Sequence, residues 1–342
     1  MNTSKLPAAV YVQTNETGDN RLVAFSRAED GTLSELGSYS TGGAGDGVAH
    51  LTSQGSVVLT SDRRHLLITN GGSGDLSVFD VSSRTPALVQ TIPTGPAPKS
   101  VAEHAGLVYV LNTGEPSIAG FRFADGLLEP IADASRALAE GSDPAQIGFT
   151  PDGSALFVTE RGTNAIAMYA LDDSGRLGEP QVQPSSGPTP YGFAFTRGGA
   201  LVVTEAFGAE TGRAAASSYV VRGGSITPVS RSVGNGRSEI CWAVISHDGR
   251  YAFTTNFADG AVSRYAVADD GTLTLEDATA GVAVDGKSGL RDEGLSSDGR
   301  FLYAIDADGQ RVFGWAVESN GTLSPIGSWD GLTATVAGLA AN

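Results

Sequence analysis

The chain holds one cysteine, Cys241, so no internal disulfide can staple it. No apolar run approaches the ~18 residues a membrane-spanning helix needs. Sustained helical periodicity is missing as well. Clustered basic residues are absent: 22 Lys and Arg face 38 Asp and Glu, a formal net charge of −16. That balance argues against nucleic acid, because phosphate neutralisation needs grouped cations. It also disfavours anionic ligands unless a local Arg overrides the field. The opening residues, MNTSKLPAAVYVQTN, lack the apolar stretch of a secretory signal. The expectation is a cytoplasmic protein with no membrane partner; a mature secreted form would read the same way.

Glycine is plentiful, with 46 spread along 342 residues, and its placement is periodic. A short apolar strand, a tight turn, an alternating strand ending in Thr-Asn or Thr-Glu, a polar loop and another strand recur. Clear copies are VVLTSDRRHLLITNGGSGDLSVFD (57–80), IGFTPDGSALFVTERGTNAIAMYALD (147–172) and AVISHDGRYAFTTNFADGAVSRYAV (243–267). A second turn gives an independent count through Gly31, Gly126, Gly175, Gly224, Gly271 and Gly321. A period of about 49 residues with four strands fits propeller blades. Turns such as DGTL are strong hairpin signals.

These observations predict an all-β, seven-bladed β-propeller of four-stranded antiparallel blades, one domain spanning 1–342. The first copy, residues 9–25, lacks its opening strand. The tail LTATVAGLAAN (332–342) supplies it, closing the ring and removing an exposed edge.

Let the strands of a blade be A to D from the channel outward. The A–B turns then share one rim, while the starts of A and the ends of B share the other. Strand-A starts place Gln54, Gln146, Tyr191, Trp242, Arg291 and Asp292 there; strand-B ends place Glu160 and Glu205. An Arg can clamp a carboxylate or polarise a carbonyl. A carboxyl in a partly dry cavity can act as general acid or base. Tyr191 and Trp242 can form a stacking wall. A polar residue ending each strand B also meets what blade-to-blade hydrogen bonding requires. His65, His104 and His247 fall at or beside A–B turns on the opposite rim, and only His50 falls near the chosen one. Neither a multi-histidine metal centre nor a His-based triad is expected. Cys241 has no His partner and reads as an inert thiol. No metal and no cofactor are expected.

The SPDG-like turns at 150–153, 246–249 and 296–299, the VTE and TTN strand ends and the DGTL turns resemble the seven-bladed propeller lactonase family. That family includes 6-phosphogluconolactonases and carboxy-muconate cyclases. The resemblance covers nearly the whole chain and implies a small-molecule substrate at one mouth of the channel. It matches a family Glu with Glu205, in LVVTEAF, and a family Arg with Arg291, in GLRDEGL. It fails at two positions: Ala145 and Gln146 stand where the family has His, and Tyr191 where it has Arg. Both losses remove positive charge and weigh against a phosphorylated sugar lactone. The first reading is therefore a lactonase, hydrolytic if water attacks and a cyclase or isomerase if a substrate carboxylate adds to an alkene. In it Glu205 is the acid/base, Arg291 binds a carboxylate or carbonyl, and Tyr191 and Gln146 orient the substrate. Glu160, Trp242, Gln54 and Asp292 complete the expected binding set. The alternative is a non-catalytic propeller that binds a ligand or protein partner over a dismantled site. A monomer is the expectation.

Overall fold

The computed structural model describes residues 6–49, 54–283 and 286–342. Seven antiparallel sheets form a ring, and their order follows the chain except at the join. The turn glycines do what their spacing implies, with φ of 86° at Gly31 and 89° at Gly271. An L side chain rarely adopts such angles, so Gly at these corners fixes where each outer hairpin folds back.

Strand B lies between neighbouring blades and is covered on both faces. Every residue of Ala155–Glu160, Ala200–Glu205 and Phe301–Asp306 is buried. The outermost strand is instead exposed or half-buried over most of its length, as in Leu33–Ser40, where Leu33 alone is buried. The apolar core is therefore distributed between blades. Phe157 and Met168 of blade 4 pack on Phe193, Leu201 and Val203 of blade 5. Each such side chain contributes roughly 1.5–3 kcal/mol by leaving water.

The tail closes the ring as expected. Ala337–Ala341 runs antiparallel to Ala9–Gln13, with Val10 opposite Ala341 and Tyr11 opposite Ala340. Asn342 fastens the join: its backbone N donates to Ala9 O at 2.8 Å and its Nδ2 to Pro7 O at 2.7 Å. Blade 3 departs from the four-strand pattern. Its outer strand is broken into Leu127–Pro130 and Arg136–Ala137, both paired with Ser117–Ala124. Pro130 has no N–H with which to continue the ladder. No helix among the described residues is long and apolar enough to cross a membrane.

Candidate functional site

The innermost strand carries one extra residue near its start in several blades. In blade 7, Leu290 pairs with Asp306 and Glu293 with Ala304, so Arg291 and Asp292 together oppose Ile305. Blades 5 and 6 repeat this at Tyr191–Gly192 and Cys241–Trp242. A bulge of this kind bends the strand and re-aims its side chains. Tyr191, Cys241 and Arg291 are thereby turned to a single cavity of about 350 Å³ at the rim where strand A starts and strand B ends. Thr189 and Glu239, each just before a strand A, and Arg161 and Phe257, each just after a strand B, close its sides.

Two guanidinium groups stand at this mouth. Arg291 is 3% exposed, and its Nη1 donates to Ala49 O at 2.6 Å. Its Nε lies 3.8 Å from Asp292 Oδ2, and its guanidinium carbon 6.0 Å from the centre of the Phe257 ring. Arg161 bonds Asp143 at 2.6 Å and stacks 5.1 Å over Tyr191. Tyr191 in turn leans on Trp242, ring centres 5.0 Å apart. Burial pushes the Tyr191 phenol up and the Cys241 thiol to about 12, so the cysteine stays protonated and is a poor nucleophile. Burial also raises Asp292 to about 6 against the pull of Arg291, and holds Glu293 well above the ordinary carboxyl range.

The remaining expected site residues lie elsewhere. Glu205 is wholly buried and is not among the residues lining the cavity. Its Oε1 accepts from Ser217 Oγ at 2.6 Å, Gly187 N at 2.8 Å and Ser185 Oγ at 3.3 Å. Its Oε2 accepts from Ser232 Oγ at 2.6 Å. The carboxylate is turned into its own blade, where four donors meet it. Glu160 is likewise turned inward, accepting from Thr163 Oγ1 at 2.6 Å, and burial raises its pKa. Gln146 locks blade 4 to blade 5 through Phe193, accepting from its N at 2.6 Å and donating to its O at 3.0 Å. Gln54 reaches across the ring from blade 2 to blade 6, donating to Ala243 O at 2.9 Å and accepting from Ala243 N at 3.1 Å. Gly192 makes room for that crossing, since a Cβ there would lie 2.6 Å from Gln54 Oε1. Trp242 is fully buried beneath Tyr191.

His247 sits in an A–B turn, while His65 opens a strand B and His104 ends a strand A, each beside such a turn, as expected. His50 lies outside the described residues. No group of three or more metal-ligating side chains occurs among the described residues. Sequence reasoning passed over Arg161, Glu239 and Phe257, which adjoin the strand ends it considered. It also missed the segment Ala206, Gly208 and Ala209, which forms another wall of the cavity. The readable signal for that wall was length, because the loop following LVVTE is longer than its counterparts.

Comparison with known proteins agrees with this architecture. No curated protein matches the chain. A candidate 6-phosphogluconolactonase from Bacteroides fragilis superposes with a TM-score of 0.76 at 19% identity, covering 100% of this chain and 99% of that one. The periplasmic gluconolactonase of Pseudomonas aeruginosa superposes at 0.73 with 17% identity, covering 96% and 97%. A protein from Lactobacillus plantarum reaches 0.76 at 18% identity, covering 99% and 100%. At such identities these likenesses speak for the fold alone. The family described as lactonase, 7-bladed beta-propeller, matches residues 101–206 and 203–336, well over half the sequence, and the chain belongs to that family.

Proposed function

We propose that this propeller hydrolyses a small lactone at the mouth bounded by blades 4 to 7. The observation that carries the reading is the convergence of Arg291, Arg161 and Glu239 on one cavity of about 350 Å³. Glu239 is the one carboxylate among its lining residues. In this reading Glu239 takes a proton from water as the water oxygen bonds to the lactone carbonyl carbon. The carbonyl electron pair moves onto oxygen, where the Arg291 guanidinium stabilises it. Collapse re-forms the carbonyl and breaks the ring C–O bond, and the departing oxygen takes the proton back from Glu239. The product is a hydroxy acid that releases its carboxyl proton to solvent, leaving a carboxylate that faces Arg291 and Arg161. Tyr191, wedged between Arg161 and Trp242, is the fixed wall against which the lactone ring lies.

The test is acid release, followed titrimetrically, over a panel of neutral and anionic lactones. Arg291→Lys keeps the charge but loses the planar fork, and Glu239→Gln removes the base. Each is expected to lower kcat/KM about 100-fold. Glu239→Gln should melt near wild type, whereas Arg291→Lys, which loses the bond to Ala49 O, should melt about 2–4 °C lower. A wild-type protein that opens no lactone, or two variants with unchanged kcat/KM, would overturn the proposal.

A further inference from the structure

The loop between strands B and C is four residues long in five blades, at 71–74, 113–116, 161–164, 257–260 and 307–310. In blade 1 it spans 14–20, and in blade 5 it spans 206–214. The added length in blade 5 is used neither by ring closure nor by the chemistry above. It folds toward the mouth and presents Ala206, Gly208 and Ala209 to the cavity.

Its backbone is unusual. Phe207, Gly208 and Ala209 take φ of 50°, 62° and 65°, three left-handed residues in succession, two of them not glycine. Such a conformation persists only where the surroundings over-determine it, and it clusters at ligand clamps. Here Phe207 N donates to Pro188 O at 3.2 Å, and Gly208 N to Thr189 Oγ1 at 3.0 Å. Ala206 N donates to Thr189 O at 2.9 Å. On the loop's flank, Arg213 stacks 5.2 Å over the Phe207 ring. The turn is thus pinned to the segment that leads into Tyr191.

What it offers the cavity is methyl groups and a bare Cα. Phe257 and the Tyr191 ring supply further apolar surface. Gly208 and Ala209 are exposed in the free protein. A sugar lactone seated against them would turn hydroxyls from water to carbon that offers them no partner, while the polar side chains Arg161, Thr189, Glu239 and Arg291 lie on the other walls. An alkyl group meets the opposite balance. A Cβ placed on Gly208 would find nothing within 4 Å, so the wall borders open space. The cavity itself, at about 350 Å³, is at the small end of ligand pockets, which run roughly 300–1,000 Å³.

We propose that the blade 5 insertion is the specificity element of the mouth, and that it selects lactones bearing an unbranched alkyl substituent over hydroxylated sugar lactones. For turnover this rests on the lactonase reading; for binding it does not. The experiment uses the full chain, a chimaera in which 206–214 is replaced by the four-residue turn found at 161–164, and Ala209→Asn. Asn tolerates the left-handed backbone and places an amide in the wall, so it tests the proposal even where the chimaera does not fold.

Two readouts are taken. One is kcat/KM for γ-lactones with alkyl chains of one, three and five carbons, against glucono-δ-lactone. The other is calorimetric binding of the matching straight-chain carboxylates, which needs no catalysis. The wild type should favour the alkyl series, gaining about fourfold per methylene until the cavity fills. Both variants should flatten that dependence. A preference for the sugar lactone, or an alkyl dependence surviving in both variants, overturns the inference. Chain-length-dependent carboxylate binding without any lactone opening overturns the hydrolase reading and leaves this one standing.

Discussion

Replacing Glu205 separates a reacting carboxylate from a structural one. Four donors converge on it: Ser185, Gly187, Ser217 and Ser232. Truncation to Ala leaves the Gly187 N–H without its acceptor in a buried setting, which alone costs about 1–3 kcal/mol. The lost charge-assisted bonds from three hydroxyls, which can partly re-pair, bring the total to about 3–5 kcal/mol. For 342 residues an unfolding entropy of about 2.1 cal/mol/K per residue makes each kcal/mol worth about 1.4 °C. Glu205→Ala should therefore melt about 4–7 °C below wild type.

Glu205→Gln behaves differently. Its amide oxygen can keep the donors on one side, and its NH₂ can face Ser232 Oγ as that hydroxyl turns to accept, so the loss is about 1 kcal/mol. Loss of a general base would instead lower kcat by roughly 10²–10⁴-fold. Calorimetric melting and steady-state kinetics on both variants decide the matter. A Glu205→Gln protein that melts like wild type but no longer turns over would refute the structural assignment.

Two further outcomes follow from the same packing. Removing residues 337–342 strips strand A from blade 1 and bares the edge of Ala9–Gln13; the melting temperature should fall by more than ~10 °C, and an unchanged circular-dichroism melt would contradict the closure. Asp292 titrates near 6 when folded against an ordinary 3.8, so the folded state keeps a proton that the unfolded chain releases between those values. This group's contribution is then most favourable below pH 4 and worsens by about 3 kcal/mol as pH rises past 6. Asp292→Asn should flatten that part of the stability profile, as read from urea unfolding at pH 4 to 7, and identical slopes in the two proteins would disprove it.

The ring was legible because its punctuation is local. Gly31, Gly271 and their equivalents need left-handed angles, and the tail resembles the strand that the first blade lacks. The site was less legible, because a single added residue decides which side chain faces the mouth. The bulge at Arg291–Asp292 delivers Arg291 to the cavity and leaves Asp292 buried beside it, a distinction that period-two reasoning does not make. The surroundings of Glu205 were partly legible too. This residue ends strand B where Asn70 and Asn256 end theirs, and all three bond a Ser at the matching place on strand C: Ser217, Ser77 and Ser263. A position that takes Glu or Asn beside the same Ser fits a residue that holds the blade together, which is what the Glu205 variants above test.

The Gln54 amide has a consequence for traffic. By gripping both backbone groups of Ala243, it ties blade 2 to blade 6 across the ring, close to Cys241 in the cavity lining. On the hydrolase reading proposed above, such a strut leaves the mouth as the route by which a lactone arrives and its product departs. A hydroxy acid formed there would leave by the way the next lactone enters, so on that reading accumulated product contends directly with fresh substrate for the same threshold.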